Sequence, residues 1–458
     1  MRLLTAIFLL LFSSLVYSQS IIITGKVQDA DNGKALAYAH VGIPEKGIGT
    51  VTGEDGSFTL KVPQSYSQSK LSVSFIGYAT YERPLSALQS PATIRIKAVP
   101  ASLQEVVVMD ERAVEDIIRR AVRRIPDNYP DNATSVTGFY RESRTNAVQE
   151  YLYMAEGVLD IYKTSYRNTK EGQVGLIQGR KIILSAEEVD QHSGFSSGHM
   201  AAHRFDFVKN REDFIDESYF DDYKYWIETV TFYEGKPVYV IGFNRAEGGK
   251  GRMKGSIYID TLSYAFLRAQ FEILPEGLRK IDDYPLYAGN WNANRYTVNY
   301  RKVEDKWYFS NALREGVYRD GGLYSNEIAI TEIQAGRGKP VPYLGRLNRG
   351  DEFLEITGTY DEDFWKNYNT TPLSTGLQQT VVQMRNQEKA TEVFDSLFIA
   401  RLQTRRDSIL RATSDGTEFM GKVTPSMDKP DGFKWRFQTM VGLGSHFLET
   451  PAANMRAA

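Results

Sequence analysis

Residues 49–58, GTVTGEDGSF, decide how the first part of this chain folds. Gly49 and Gly53 allow backbone angles that other residues resist, and Asp55-Gly56 is a hairpin-type turn signal. Phe58 opens the next alternating run, residues 57–62 (SFTLKV), and is expected in a core. Upstream, residues 21–27 (IIITGKV) and 39–43 read as strands, separated by the turn cluster Asp29, Asp31, Asn32, Gly33. Downstream, residues 71–75 (LSVSF) and 92–97 (ATIRIK) alternate in the same way. Short alternating strands between Gly/Pro/Asn/Asp turns predict an antiparallel β-sandwich over residues 20–100. Within FIGY, residues 75–78, Gly77 is expected to bend the chain, with Phe75 and Tyr78 packing on its two sides.

The order GKVxDxxxGKxL, GTxTxxxGxF, a Pro-ended strand at Pro63 and then SFIGY resembles the carboxypeptidase-regulatory-like domain. That resemblance implies a small transthyretin-like sandwich, common at the N-terminus of exported Bacteroidota envelope proteins, many TonB-dependent transporters among them. Gly53 departs from the pattern, which has an acidic residue or Asn there. The module accompanies metallocarboxypeptidases without being their catalytic part, so the resemblance implies no reaction.

The chain has 458 residues, which predicts two or three domains. Lys+Arg 55 against Asp+Glu 57 leaves a net charge of −2, which removes the electrostatic case for a nucleic-acid partner. Tyr 28 and Phe 23 favour sheets with one wet face. Residues 1–18 read as a signal peptide: Arg2, an apolar run over 3–16, then Val16 and Ser18 at the −3 and −1 places of a cut before Gln19. An uncleaved anchor is the alternative. With no Cys, disulfides are excluded and the chain is not expected to be a lipoprotein.

Residues 101–132 are expected to form a strand and a helical junction. Residues 110–125 (DERAVEDIIRRAVRRI) have helical spacing, Asp110 as N-cap and arginines at the far end. Arg119, Arg120, Arg123 and Arg124 form a basic face, read as a solvated face, with phosphate or lipid headgroup binding as the sharper alternative. Over residues 133–345, ten alternating runs predict a large antiparallel domain, with hairpin turns at 234–237, 260–263, 304–305 and 320–322. VTFYEGKPVYVIGF followed by GSIYIDTLSYAFLRAQFEI resembles the curved sheet of lipoprotein-sorting-type carriers. This implies an open half-barrel with a groove able to hold lipid.

Candidate chemistry is sparse. The only His-x-x-Glu is His446 with Glu449, and no His follows it, so a metallocarboxypeptidase site in the familiar order is not encoded. His199 and His203 lie at i, i+4, with His192 seven residues before the pair, but Met200 stands where a metallohydrolase has Glu. The stretch reads as a surface loop. Residues 213–225 (DFIDESYFDDYKY) mix carboxylates with rings and read as a solvated acidic edge. Residues 248–255 (GGKGRMKG) read as a mobile hairpin tip rather than a phosphate loop. There is no Gly-x-Ser-x-Gly elbow. No catalytic, cofactor-binding or metal-binding residue is therefore assigned, and no cofactor.

Residues 337–350 read as a linker, 352–359 as a strand and 377–411 as a helical segment with an apolar stripe. This C-terminal segment is placed at 346–415, followed by a loose tail at 416–458 in which 433–447 resemble one outer-membrane-type strand. The expectation is a mainly β, exported, non-catalytic protein of the periplasm, associated with the outer membrane. It would be an adaptor or accessory subunit of an assembly, transport or surface complex. A carrier of lipid or lipoprotein acyl chains is the first alternative, and a metal-dependent hydrolase the second.

Overall fold

Alternation along the chain becomes burial in the fold. In the computed structural model, which describes residues 20–100, 109–183, 195–274, 291–318, 320–357, 365, 368–373 and 377–379, Phe58, Leu60 and Val62 are buried while Ser57, Thr59 and Lys61 are not. They belong to β4 (Ser57–Pro63), which pairs antiparallel with β1 (Ser20–Asp29). On the other side of β1 lies β7 (Ala92–Ile96), in parallel. A second layer runs in the order β3 (Ile48–Val51), β2 (His40–Ile43), β5 (Lys70–Ser74), β6 (Tyr81–Pro84). Val27, Val41, Ile43, Leu60, Leu71 and Val73 pack between the two layers with no exposed surface. Burying a side chain of this size contributes about 1.5–3 kcal/mol. The turn into β4 needs glycine at Gly56: its φ is +75°, and a β-carbon there would lie 2.5 Å from the Val27 carbonyl oxygen.

Ten further strands form one antiparallel sheet that curls into an open half-barrel. Three come before the helical turns of residues 198–222: β8 (Thr134–Thr145), β9 (Tyr151–Lys163) and β10 (Gln173–Ile183). Seven follow them: β11 (Tyr223–Tyr233), β12 (Lys236–Arg245), β13 (Met253–Asp260), β14 (Phe266–Ile273), β15 (Trp291–Val303), β16 (Lys306–Tyr318) and β17 (Leu323–Gln334). β8 closes onto β17, so β10 and β11 are the two outer strands of this set. Its hairpins use the expected turns: Glu234 and Gly235 both have positive φ, +50° and +74°, as a two-residue primed turn requires.

The sheet has two chemically different faces. On one, Phe214 stacks on Phe243 at 4.5 Å, and Phe207 meets Tyr300 edge-on at 5.5 Å and Phe266 at 5.7 Å. Tyr129 closes the same core and donates its hydroxyl to the Phe266 carbonyl at 2.6 Å. The other face is polar. A single cross-strand row passes through all ten strands there, from Arg180 through Glu156, Arg141 and Glu327 to Leu313, Thr297, Gln270, Ser256, Gly242 and Trp226. Helix α1 (Glu111–Arg123) starts as predicted, with Asp110 accepting from Ala113 N at 2.8 Å. Val114, Ile117, Ile118 and Ala121 form its buried stripe, and it packs along β11.

Several expectations are corrected. Glu332 of β17 pairs with Ile48 of β3, so the second layer of the sandwich continues the large sheet, a link that the sequence reading did not foresee. The first half of GTVTGEDGSF is itself strand β3, not only turn. Among the described residues of the 352–359 stretch there is no strand; Phe353–Ile356 is a single helical turn whose Phe353 is fully buried. The 337–350 stretch is pinned to the edge of β10 by a Gly175–Arg346 bridge. The signal peptide, the 101–108 strand, His192, residues 380–411 and the tail lie outside the described residues.

Candidate functional site

The histidine pair is buried, not on a surface loop. His199 has no exposed surface and His203 only 4%. The reason is local: a β-carbon on Gly198 would meet the Tyr140 hydroxyl at 2.3 Å and Glu142 Oε2 at 2.5 Å, so glycine lets this turn press onto β8. Burial, and then Lys163, hold the His203 imidazole well below its usual range; burial lowers His199 to about 4. Cations rather than carboxylates surround His203. Neighbouring Asp206 is already shared by Lys163 at 2.8 Å, Tyr300 at 2.7 Å and Tyr166 at 2.5 Å. Among the described residues no group of three His, Asp or Glu side chains is placed to hold a metal ion.

The acidic stretch is not a solvated edge throughout. Asp213 is 5% exposed and paired with Arg252 at 3.2 Å, while Phe214, Phe220, Tyr223 and Tyr225 are core. Burial, and then Asp213, raise Glu212 to about 7. Asp216 and Asp222 accept backbone N–H groups of Ser218 and Lys250, at 2.9 and 2.7 Å. The latter bond ties the Gly-rich 248–255 connection to the helical turn that leads into β11. The α1 arginines are also engaged: Arg119 with Glu115 and Asp116, Arg123 with Glu217, Arg124 with Asp127. Arg120 lies over the Tyr264 ring, 4.8 Å from its centroid.

The groups that come together lie where the sandwich meets the polar face. Arg301 donates through Nη1 to His40 Nε2 at 2.5 Å and through Nη2 to the Gly47 carbonyl at 3.1 Å. A β-carbon at Gly49 would lie 2.5 Å from Arg301 Nη1, so the first glycine of GTVTGEDGSF is an approach point for β15. FIGY docks too: Gly77 N donates to Phe232 O at 2.8 Å, and the Ser74 and Tyr233 hydroxyls are 3.1 Å apart. Phe75 and Tyr78 lie against each other, ring centroids 5.5 Å apart, rather than on opposite sides of the glycine.

A strap from the C-terminal side completes the seam. Asn369 bonds both backbone groups of Lys61, at 2.6 and 3.0 Å, and so mimics a neighbouring strand along the edge of β4. Lys61 Nζ donates to Trp365 O at 2.8 Å, and burial, then Arg180, lower its pKa to about 8. Two residues on, Thr371 O accepts from Arg141 Nη2 at 2.6 Å. Arg141 also bonds Glu156 at 2.6 Å and Glu327 at 3.2 Å, and Arg180 bonds the other oxygen of Glu156. Burial pushes the Glu156 carboxyl up, but the two guanidiniums outweigh it and hold it low.

Beside this ladder is a hollow of about 350 Å³ between the sandwich and the sheet. Tyr38, Gly53 and Glu54 line it from the sandwich, Arg141, Arg295, Glu315 and Tyr324 from the sheet, Pro372 and Leu377 from the strap side. Tyr38 holds a left-handed φ of +61°, which for a bulky residue costs about 1–2 kcal/mol. Strained backbone of this kind clusters at binding sites. Glu315 is raised by burial and then by Glu54, with Arg295 opposing. The hollow thus presents hydroxyls, two guanidiniums and carboxylates, and neither His nor Cys is among its lining residues. Sequence reading missed Tyr38, Glu54, Arg295 and Glu315, because nothing local marks residues that lie far apart along the chain and meet only across the seam.

Comparison with known proteins bears on the first part of the chain. Residues 23–108 match the model of the CarboxypepD_reg-like domain. The sandwich is a carboxypeptidase-regulatory-like domain. No curated protein matches the chain significantly. Among solved structures, a domain described as an outer membrane lipoprotein-sorting protein domain from Vibrio parahaemolyticus is 12% identical, covering 50% of this chain and 95% of its own, with a TM-score of 0.24. A DUF1329 family protein from Desulfovibrio piger is 12% identical, covering 49% and 94%, with a TM-score of 0.24. A LolA superfamily protein from Nitrosomonas europaea is 12% identical, covering 50% and 94%, with a TM-score of 0.21. Likeness at this level carries no argument about ligand or partner; the half-barrel rests on its own strand pairing. The carboxypeptidase-regulatory-like domain is therefore docked, through Arg301–His40 and the strap, onto a sheet that it partly extends.

Proposed function

We propose that this chain is a non-catalytic, exported adaptor of the cell envelope, and that its partner enters the hollow between the carboxypeptidase-regulatory-like domain and the half-barrel. The single observation that carries this reading is the seam itself. Three parts of the chain distant in sequence converge there on one partly charged cavity, lined by a strained Tyr38 and by Glu54, Arg295 and Glu315. Groups that would serve a hydrolase support the same reading by their engagement elsewhere, with the histidines buried beside cations and Asp206 saturated. A lipid carrier is the weaker reading, because the apolar face of the sheet is filled by Phe207, Phe214 and Tyr129. The location, periplasmic and against the outer membrane, is part of the proposal; the N-terminal leader pattern supports the export step alone.

The test is affinity capture of the tagged full chain from gently extracted native envelopes, beside Glu54→Lys and Glu315→Lys. The reading predicts one envelope protein captured by wild type and lost with the seam variants. Capture unaffected by both variants, or lipid bound stoichiometrically in place of protein, would contradict it.

A further inference from the structure

Exposed apolar side chains are ordinary when scattered, but not when stiffly presented together. Leu344 is 97% exposed and its neighbour Tyr343 72%, on the one-turn 3-10 helix Tyr343–Gly345. The turn is held by hydrogen bonds at its base. Val341 is buried at its base, Gly345 N donates to Pro342 O at 2.9 Å, Arg346 Nε donates to Val341 O at 2.7 Å, and Leu347 N donates to Val174 O at 2.9 Å. Pro340 and Pro342 restrict the backbone on the way in. Ile177, 40% exposed, lies on the same edge strand β10 that the loop is bridged to.

The surrounding charge is one-sided. Arg337, Lys339, Arg346 and Arg349 are all exposed, on a chain whose overall charge is −2. The acids of this neighbourhood are engaged: Glu171 pairs with Arg349 at 3.4 Å, and Asp351 accepts from Asn348 N at 2.9 Å. Two apolar side chains on a narrow turn are far too small an area for a stable protein interface, which needs about 800 Å² per partner. They suit a lipid surface, where apolar tips enter the acyl boundary and nearby cations meet anionic headgroups.

We propose that the turn at residues 340–346 is a membrane-contact wedge: Tyr343 and Leu344 insert into a lipid surface while Arg337 and Lys339 face anionic headgroups. It gives a chain without cysteine its own contact with a bilayer, and it does not depend on what the seam binds. The test is flotation of the purified chain from Gln19 on, free of the apolar leader run, with vesicles of phosphatidylcholine alone or mixed with phosphatidylglycerol. Wild type is expected to float with the mixed vesicles and to be released as salt rises. The double variant Tyr343→Ser/Leu344→Ser is expected to lose about tenfold or more in binding, while melting like wild type. Arg337→Gln/Lys339→Gln should abolish the preference for phosphatidylglycerol. Three results would overturn the proposal: the serine variant floating like wild type, equal binding to both vesicle types, or no flotation with a photo-crosslinker at position 344 capturing protein instead of lipid.

Discussion

Arg301 of the half-barrel donates to Nε2 of His40 in the sandwich at 2.5 Å. A guanidinium has no lone pair to offer, so the imidazole must accept, and His40 is neutral at this nitrogen. Burial first, and Arg301 second, hold its pKa well below the usual value. Protonation of one ring therefore opposes the docking of two domains.

The sign of the pH effect follows. With a depressed folded-state pKa, the unfolded chain binds more protons between that value and about 6.5. The stabilising contribution is intact above about pH 6.5 and is lost as pH falls. His199, lowered to about 4, and His203 act in the same direction. We expect stability to drop between about pH 7 and pH 5 by about 1–2 kcal/mol per histidine, and His40→Gln to show a smaller drop than wild type. Urea unfolding at the two pH values measures this; equal drops would show that His40 does not titrate as described.

Glu142 predicts the opposite slope. It is fully buried on β8, accepts the Tyr140 hydroxyl at 2.7 Å, and burial raises its pKa to about 8. The folded state holds a proton the unfolded state has released, so this contribution is present below about pH 4.5 and lost as pH rises toward 8. Glu142→Gln should therefore gain stability relative to wild type at about pH 8, by a few kcal/mol at most, and not at about pH 5. Thermal melts of both proteins at both pH values decide it.

Glu156 lies between Arg141 and Arg180 with no exposed side-chain surface. Glu156→Gln removes the carboxylate shared by buried Arg141 and half-buried Arg180, and should cost about 3–5 kcal/mol. Replacing Arg141, Glu156, Arg180 and Glu327 together by apolar residues of similar size leaves no buried charge of the group behind and should cost much less. Denaturant midpoints of the single and quadruple variants give the comparison.

The strap predicts a local effect. Asn369→Ala removes both bonds to the Lys61 backbone and should expose the edge of β4, at a cost of about 1–3 kcal/mol. Hydrogen exchange should quicken at Lys61 and its β4 neighbours while the β13–β14 hairpin stays protected.

Local physics was legible in the sequence where it was sufficient. The alternation of Phe58, Leu60 and Val62, the Asp110 cap and the Glu234-Gly235 turn each follow from a few adjacent residues, and each stands in the fold. The strand Ile48–Val51 was not legible, because its two central residues include Gly49, whose role is to admit Arg301 rather than to turn. The burial of His199 depends on Gly198 meeting Tyr140 and Glu142 from a strand more than fifty residues away. The candidate site is of the same kind. Tyr38 and Glu54 look like turn residues until Arg295 and Glu315 are brought across the seam.

The most direct test of the adaptor reading is site-specific photo-crosslinking in intact cells, with the reactive side chain at position 54 in the seam and, as control, at the exposed Leu262 on the β13–β14 turn. The account predicts a single discrete protein adduct from position 54 that is absent from position 262. Adducts of equal pattern from both positions, or none from position 54 in a folded and exported chain, would contradict it.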